Sequence, residues 1–214
     1  MIRVVSETVG PYQENSYLVV DDAAGRAVLV DPGDEPDLLL RMIARSGATL
    51  DAIWLTHAHF DHVGAINGVR RVFPVPVYLH PLDRPLYNRA AGSAGSYGVA
   101  LDQPEPPDRE LGEGDVVTVG ALRFDVLHLP GHAPGHVAFL GHDLVLSGDV
   151  LFRGSIGRTD LEYCNGAHMN ASLERLGALP GATVVYPGHD QITTIEHELA
   201  TNPFLNGSAI PVHR

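Results

Sequence analysis

Lysine is absent from this 214-residue chain, and all 14 of its basic residues are arginine. That excludes Schiff-base catalysis and a P-loop lysine. Cysteine is nearly absent as well. Cys164 stands alone, so no internal disulfide can form, and a reducing compartment, the cytoplasm, is the expected location. Positive charge is scarce. A formal net charge of −12 argues against nucleic acid or an anionic membrane surface as partner. No apolar run approaches the length of a membrane span. Met1 to Glu7 show no charged region followed by an apolar one, so no secretory signal is expected. Apolar residues make up 44% of the chain, which suits a globular fold, and the length suits one domain.

Histidine, by contrast, is plentiful at 12 residues. Abundance alone fits simple metal sequestration, so position has to decide. The run Ile53-Trp54-Leu55-Thr56 reads as a buried strand and stops at His57-Ala58-His59-Phe60-Asp61-His62. Alternate residues of an extended segment point the same way, so His57 and His59 can aim at one point. Asp61 and His62 follow at the expected start of a helix. Four ligands in six residues exceed what one tetrahedral zinc takes when catalysis needs an open position. The pattern therefore predicts two ions side by side, with His57 and His59 on one and Asp61 and His62 on the other. The competing reading is a surface loop whose Asp61 caps the helix.

Strands are expected at Ile2 to Val9, Ser16 to Val20 and Ala27 to Val30, the third ending at Asp31-Pro32-Gly33. Pro36 to Arg45 reads as an amphipathic helix with Leu38, Leu39, Met42 and Ile43 on one face. Ala52 to Leu55 is a strand, a helix runs on to about Val72, Val75 to Leu79 is a strand, and Pro81 to Asn88 forms a short helix. Ala90 to Gly114 is rich in Gly, Pro, Ser and Asp and reads as a long surface loop, a candidate lid. Strands follow at Asp115 to Val119, Leu122 to Leu127, Val137 to Leu140, Leu144 to Leu146 and Ala182 to Tyr186. Helices at Gly166 to Ala178 and Thr193 to Thr201 complete the chain. The pattern implies two packed sheets with helices outside.

Three further loops end an apolar strand in a ligand beside glycine: Gly131-His132, Gly148-Asp149 and Gly188-His189. Glycine there permits tight turns and close backbone approach. Each is weak alone. With the first cluster they supply the number of ligands that two metal sites need.

These residues resemble the metallo-β-lactamase fold superfamily, and within it the small bacterial glyoxalase II-like hydrolases. The His-x-His-x-Asp-His pattern is met by His57, His59, Asp61 and His62, and the later ligands by His132, Asp149 and His189. The run from Gly148 to Asp160 and Asn202-Pro203-Phe204-Leu205 are also similar to that group. The resemblance covers nearly the whole chain. It implies an αββα sandwich over residues 1–214, a single domain lacking the C-terminal helical domain of full-length glyoxalase II. It implies one metal on His57, His59 and His132, another on Asp61, His62 and His189, and Asp149 bridging them. The donor set is nitrogen and oxygen, which suits zinc; iron and manganese are the alternatives. Cys164 matches no ligand position.

The chemistry so implied is hydrolysis of a thioester such as S-lactoylglutathione. Two dications about 3.5 Å apart activate a shared water and polarise the acyl carbonyl. A thiol of pKa about 8.5 leaves without a strong acid. Asp61 and Asp149 are the candidate catalytic carboxylates. Arg158 is similar in place to a glutathione contact and is a candidate for a substrate carboxylate; an ion pair with Asp160 is the alternative. The tyrosine that follows the last histidine in the family is replaced by Asp190-Gln191, which puts glutathione itself in question. A persulfide dioxygenase with one iron and a lactonase are the other enzymatic readings. A non-catalytic metal-binding protein ranks below them, because sequestration needs no bridging aspartate. His136 and His128 are expected to support the site or pack. His80, His142, His168, His197 and His213 are expected at the surface or in caps, and Tyr12, Asn15 and Tyr17 in core or turn roles. The expected partner is a small molecule, and the oligomeric state is left open.

Overall fold

A computed structural model describes residues 1–208. The chain opens with β1 (Ile2–Val9), β2 (Glu14–Asp21) and β3 (Arg26–Val30), followed by α1 (Pro36–Ser46) and β4 (Thr49–Trp54). The short helices α2 (Phe60–Val63) and α3 (Ile66–Arg70) lead to β5 (Val77–Leu79), α4 (Arg84–Tyr87), α5 (Ala90–Ser96) and β6 (Arg109–Glu110). These six strands form one sheet in sequence order, antiparallel across β1–β2–β3 and parallel from β3 to β6. A second sheet has β7 (Val116–Val119), β8 (Leu122–His128), β9 (Val137–Gly141) and β10 (Leu144–Gly148). After the small hairpin of β11 (Leu151–Phe152) and β12 (Ser155–Ile156) and the helix α6 (Gly166–Gly177), the chain adds β13 (Val184–Pro187) and β14 (Thr193–Thr194) to that sheet. The helix α7 (Ile195–Thr201) follows.

The buried apolar residues divide into three clusters, and these define the layers. Tyr17, Val19, Val28, Val30 and Trp54 of the first sheet meet Val117, Phe124, Val126, Phe139 and Leu146 of the second. Trp54 anchors this middle layer, with its ring centroid 5.1 Å from Phe139 and 5.8 Å from Phe124. The intervening residues of the first sheet, Leu18, Val20, Leu29 and Ile53, face outward onto Leu39, Met42 and Ile43 of α1 and Ile66 and Val69 of α3. Ala138, Val145 and Val185 of the second sheet pack on Met169, Leu173 and Leu176 of α6 and Ile195 of α7. Period-2 alternation on strands that are apolar on both faces yields an αββα sandwich.

The short strands β11 and β12 lie outside the expected elements, Thr193–Thr194 form β14 where a helix start is expected, and two longer segments also depart from the sequence expectation. The helix predicted to reach about Val72 is interrupted between Val63 and Ile66, where Ala65 N–H donates to Pro32 O at 3.0 Å instead of continuing the helix, and Gly64 lies against the Gly33 carbonyl with no room for a side chain. The predicted loop at 90–114 contains α5 and β6. No apolar period announces α5, and Gly92 and Gly95 disfavour it locally; burial of Ala90 and Ala94 holds it in place. Gln103 accepts a hydrogen bond from Ala91 N–H and donates one to Tyr87 O, so the stretch after α5 is tied back to the fold. His213 lies outside the described residues. Among the described residues, no helix is long and apolar enough to cross a membrane.

Candidate metal centre

Parallel pairing of β3 with β4 and of β10 with β13 brings their C-terminal ends to one edge of the sandwich. The β8–β9 turn reaches the same edge, where Val137 N–H donates to Thr56 O. Asp31, His57 to His62, His132, Asp149 and His189 all lie on these strand ends. Two groupings follow from side-chain position: His57, His59 and His132, and Asp61, His62 and His189, with the ligand atoms of each trio within 4.8 Å of one another. Asp149 sits between them. Its Oδ1 is 3.4 Å from His62 Nε2, and its Oδ2 is 3.3 Å from His132 Nε2 and 3.6 Å from His189 Nε2. Asp61 Oδ2 lies 3.5 Å from His189 Nε2. The helix-cap alternative for Asp61 is not realised, since His59 holds the cap position of α2 and Asp61 lies inside its first turn.

The glycines next to the ligands are required by space. A side chain at Gly188 would collide with the Asp149 carboxylate and the His62 ring. At Gly148, with φ +49°, it would meet Thr56 Oγ1 and His136 Nε2, and at Gly131, with φ +147°, the backbone of Met169. Asn15 and Tyr17, expected in core or turn roles, fix the His189 loop: Asn15 Nδ2 donates to Pro187 O and Asp190 O, and Tyr17 Oη donates to Pro187 O.

Hydrogen bonds orient the rings. His62 Nδ1 donates to Asp31 Oδ2 at 3.1 Å. Thr56 Oγ1 donates to the same carboxylate at 2.6 Å, which leaves its oxygen to accept from His57 Nδ1 at 3.1 Å. His132 Nδ1 donates to Arg158 O at 2.8 Å. These bonds assign the proton to Nδ1 in all three rings and turn Nε2 toward the site, the arrangement that metal-ligating histidines favour. Nε2 has no partner in His57 and His62, whereas in His132 it lies 2.7 Å from His59 Nδ1. The residues fit a cation by a second criterion. His57 Nε2, His62 Nε2 and Asp149 Oδ1 are buried and have no hydrogen-bond partner. Such a group left unpaired costs about 1–3 kcal/mol, and a metal ion would satisfy all three.

Electrostatics separates the two trios. Burial, followed by the neighbouring rings, lowers the pKa of His57 well below the usual imidazole range and that of His59 to about 3; burial also lowers His132. Burial also opposes charge on His62 and His189, but Asp149 and Asp31 outweigh it at His62, and Asp61 and Asp149 at His189, so both are raised. Burial works against ionisation of Asp149; the surrounding His62, His189 and His132 outweigh it and hold the carboxyl well below its usual range. A third grouping, Asp31 with His57 and His62, has ligand-like spacing. Its carboxylate already accepts from Thr56 N–H, Thr56 Oγ1 and His62 Nδ1, so it is better read as an orienting group.

Sequence reasoning missed Asp31, Thr56 and Asp83. The buried Asp83 accepts from Ala58 N–H at 3.0 Å and from Gly135 N–H, tying the His57–His59 segment to the β8–β9 turn. His136 accepts from Asp149 N–H at 3.0 Å and stacks on His57 at 4.9 Å, so it supports two candidate ligands. His128 stacks on His80 at 4.3 Å, and His80 Nδ1 caps the turn at Pro81–Asp83. Cys164 Sγ lies 3.0 Å from His132 O. Arg158 lines the cavity beside the trios and makes the bidentate pair with Asp160, at 2.9 and 3.0 Å. That cavity measures about 780 Å³ and also includes His59, Asp61, His132, Asp149 and His189 in its wall.

The chain belongs to the metallo-beta-lactamase superfamily, whose model matches residues 9–189. A probable metallo-hydrolase of Bacillus subtilis, YqgX, is 39% identical over 94% of this chain and 97% of its own length. The hydroxyacylglutathione hydrolase GloC of Haemophilus influenzae is 34% identical, again over 94% of this chain and 97% of its own. Among solved structures, TTHA1623 in a di-iron-bound form is 50% identical with a TM-score of 0.87, over 94% of this chain and 100% of that one.

Proposed function

We propose that the protein is a dinuclear metal-dependent hydrolase of acyl thioesters, S-lactoylglutathione or a related acyl-thiol. The observation that carries the reading is Asp149, whose two carboxylate oxygens face histidines of both trios. On this assignment His57, His59 and His132 would hold one ion, Asp61, His62 and His189 would hold the other, and Asp149 would serve both. When bound, such a pair supplies an activated water and an electrophile for the carbonyl oxygen.

The chain's own groups do the rest. Asp31 and Thr56 keep the Nδ1 protons in place, so that the bare Nε2 atoms face inward. Asp61 is ionised: burial opposes this, but His189 and His62 outweigh it and lower its pKa. One of its oxygens can then orient a water by accepting its proton. Water adds to the acyl carbon, the C–S bond breaks, and the thiol departs without a dedicated acid, because a thiolate is a good leaving group at a pKa of about 8.5. Arg158, at the rim of the cavity, is the proposed contact for a polar end of the thiol, which would compete with Asp160 for the guanidinium. Zinc suits the donor set, with iron and manganese as alternatives.

The test is elemental analysis of the purified protein together with thioester and persulfide assays. Two metal equivalents with thioester hydrolysis are expected. One iron with oxygen uptake on glutathione persulfide would overturn the proposal in favour of a dioxygenase. Bound metal without turnover of either substrate would make this a metal-binding protein.

A further inference from the structure

The cavity beside the two trios has a wall whose chemistry the hydrolase reading does not use. Phe60 lies between His59 and Asp61, one candidate ligand from each trio. Its ring stacks on Tyr97, with centroids 5.5 Å apart, and meets Tyr12 edge-on at 5.1 Å; Tyr12 and Tyr97 contact each other at 6.2 Å. All three rings line the cavity. They come from three separate stretches of chain, and two of them are far from buried: Tyr12 is 40% exposed and Tyr97 52%. Leu86, Ile156 and Leu161 extend the apolar lining.

An aromatic triad left open to water at the edge of a reaction centre is costly unless a ligand covers it. A cavity of about 780 Å³ is well beyond what a two- or three-carbon acyl group fills. The cationic side chains in the lining, Arg89 and Arg158, are each engaged by a neighbouring carboxylate: Arg89 by Glu162 at 2.6 Å, Arg158 by Asp160. A polar end of the thiol has to compete with these carboxylates for an arginine, whereas the aromatic wall offers apolar contact without displacing an ion-pair partner.

The geometry points to a substrate whose acyl group is long or aromatic and lies on the Tyr12–Phe60–Tyr97 wall. This rests on the thioester-hydrolase reading and narrows it from acyl thioesters in general to hydrophobic acyl thioesters. The reaction stays balanced as before: water adds to the acyl carbon, the C–S bond breaks, and a fatty or aryl carboxylic acid and a thiol leave. Phe60, Tyr12 and Tyr97 share one cavity wall with His59, Asp61, His132, Asp149 and His189, so an acyl chain on the aromatic wall lies in the same cavity as the candidate ligands.

The test uses the metal-loaded full chain and a series of N-acetylcysteamine thioesters, which share one small neutral thiol. The acyl groups are lactoyl, acetyl, butanoyl, hexanoyl and phenylacetyl. Burial of a methylene is worth about fourfold in affinity for the transition state. The value of kcat/KM is expected to rise at least tenfold from acetyl to hexanoyl, with phenylacetyl well above lactoyl. Tyr97→Ala should flatten that rise. A direct binding measurement accompanies the kinetics: calorimetry should show hexanoate and phenylacetate binding at least tenfold more tightly than acetate, and Tyr97→Ala should erase the difference. Hydrolysis of every thioester at similar kcat/KM would overturn the acyl preference and leave the hydrolase reading intact. No hydrolysis of any member or of S-lactoylglutathione, run alongside as a control, would overturn the hydrolase reading. Product binding that does not grow with apolar area would overturn the wall as an apolar subsite whatever the kinetics show.

Discussion

His57, His59 and His132 form an all-imidazole trio whose pKa values are depressed, whereas Asp61, His62 and His189 include a carboxylate and two imidazoles whose pKa values are raised. His57 is fully buried and His132 nearly so; the Asp61 and His189 side chains are 17% and 20% exposed and open to the cavity. The difference teaches how one fold prepares two unlike sites. In the first trio burial and the neighbouring rings outweigh Asp149, only 3.3 Å from His132 Nε2, and keep the rings neutral, the form a metal needs. Where Asp31, Asp61 and Asp149 crowd the rings, the anions already present stand in for part of the attraction a cation feels.

The largest effect should come from the residue the trios share. Asp149→Ala removes the carboxylate whose two oxygens approach histidines of both trios, so metal content should fall from two equivalents toward none. The value of kcat/KM should drop on the order of 10³-fold or more, since several kcal/mol of transition-state stabilisation are lost. Retention of both metals by this variant would contradict the bridging assignment. Next come His57→Ala and His189→Ala, which break one trio each. Each should lose about one equivalent by elemental analysis. His57→Ala should also lower the melting temperature more, because it empties a fully buried position packed against His136, His59 and His62. Equal destabilisation by the two variants would erase the asymmetry.

Smaller effects should follow from the groups that hold the rings. Asp31→Asn keeps one oxygen for Thr56 N–H but replaces the oxygen that accepts from His62 Nδ1 and Thr56 Oγ1. Metal affinity of the second trio should weaken about 10–100-fold, as is usual when the partner of a ligating histidine is lost. Thr56→Val cuts only the relay to His57, so its loss should fall on the first trio. A chelator titration that resolves the two equivalents reads both variants. Identical titration curves would mean that Asp31 does not distinguish the trios.

Much of this site can be read in the sequence because its signals are local. Four ligands fall within His57 to His62, and His132, Asp149 and His189 each follow a glycine that ends an apolar strand. The layer order is legible for the same reason, since the strand runs and the helix from Pro36 carry their periods within a few residues. Asp31 escapes because Asp-Pro-Gly reads as a turn. Its role exists only once β3 and β4 lie parallel and Asp31 N–H donates to Trp54 O, which sets its carboxylate beside Thr56. The helix α5 escapes because tertiary burial of two alanines overrides two glycines. The aromatic wall escapes because Tyr12, Phe60 and Tyr97 meet only in space.

Asp83 gives the finest probe of the comparison, because it braces the first trio through backbone alone. It accepts from Ala58 N–H, between His57 and His59, and touches no ligand ring. Burial pushes its pKa up to about 7, against the opposing pull of the Gly135 and Ala58 N–H groups. The folded protein thus holds a proton that an unfolded chain, with an aspartate pKa near 3.9, releases. For an acid shifted upward, the stabilisation is complete below about pH 4 and is lost as pH climbs through about 7. Unfolding free energy should therefore fall across that window by up to about 1.4 kcal/mol per pH unit from this group. Asp83→Asn cannot ionise, so its own curve should be flatter by that amount between pH 5 and 6, in denaturant titrations of the metal-loaded protein. It also puts an amide N–H against one backbone donor, so it should be less stable than the parent at pH 5 and approach it toward pH 8. Parallel curves for the two proteins would mean that Asp83 is ionised throughout, and that its two N–H donors outweigh its burial.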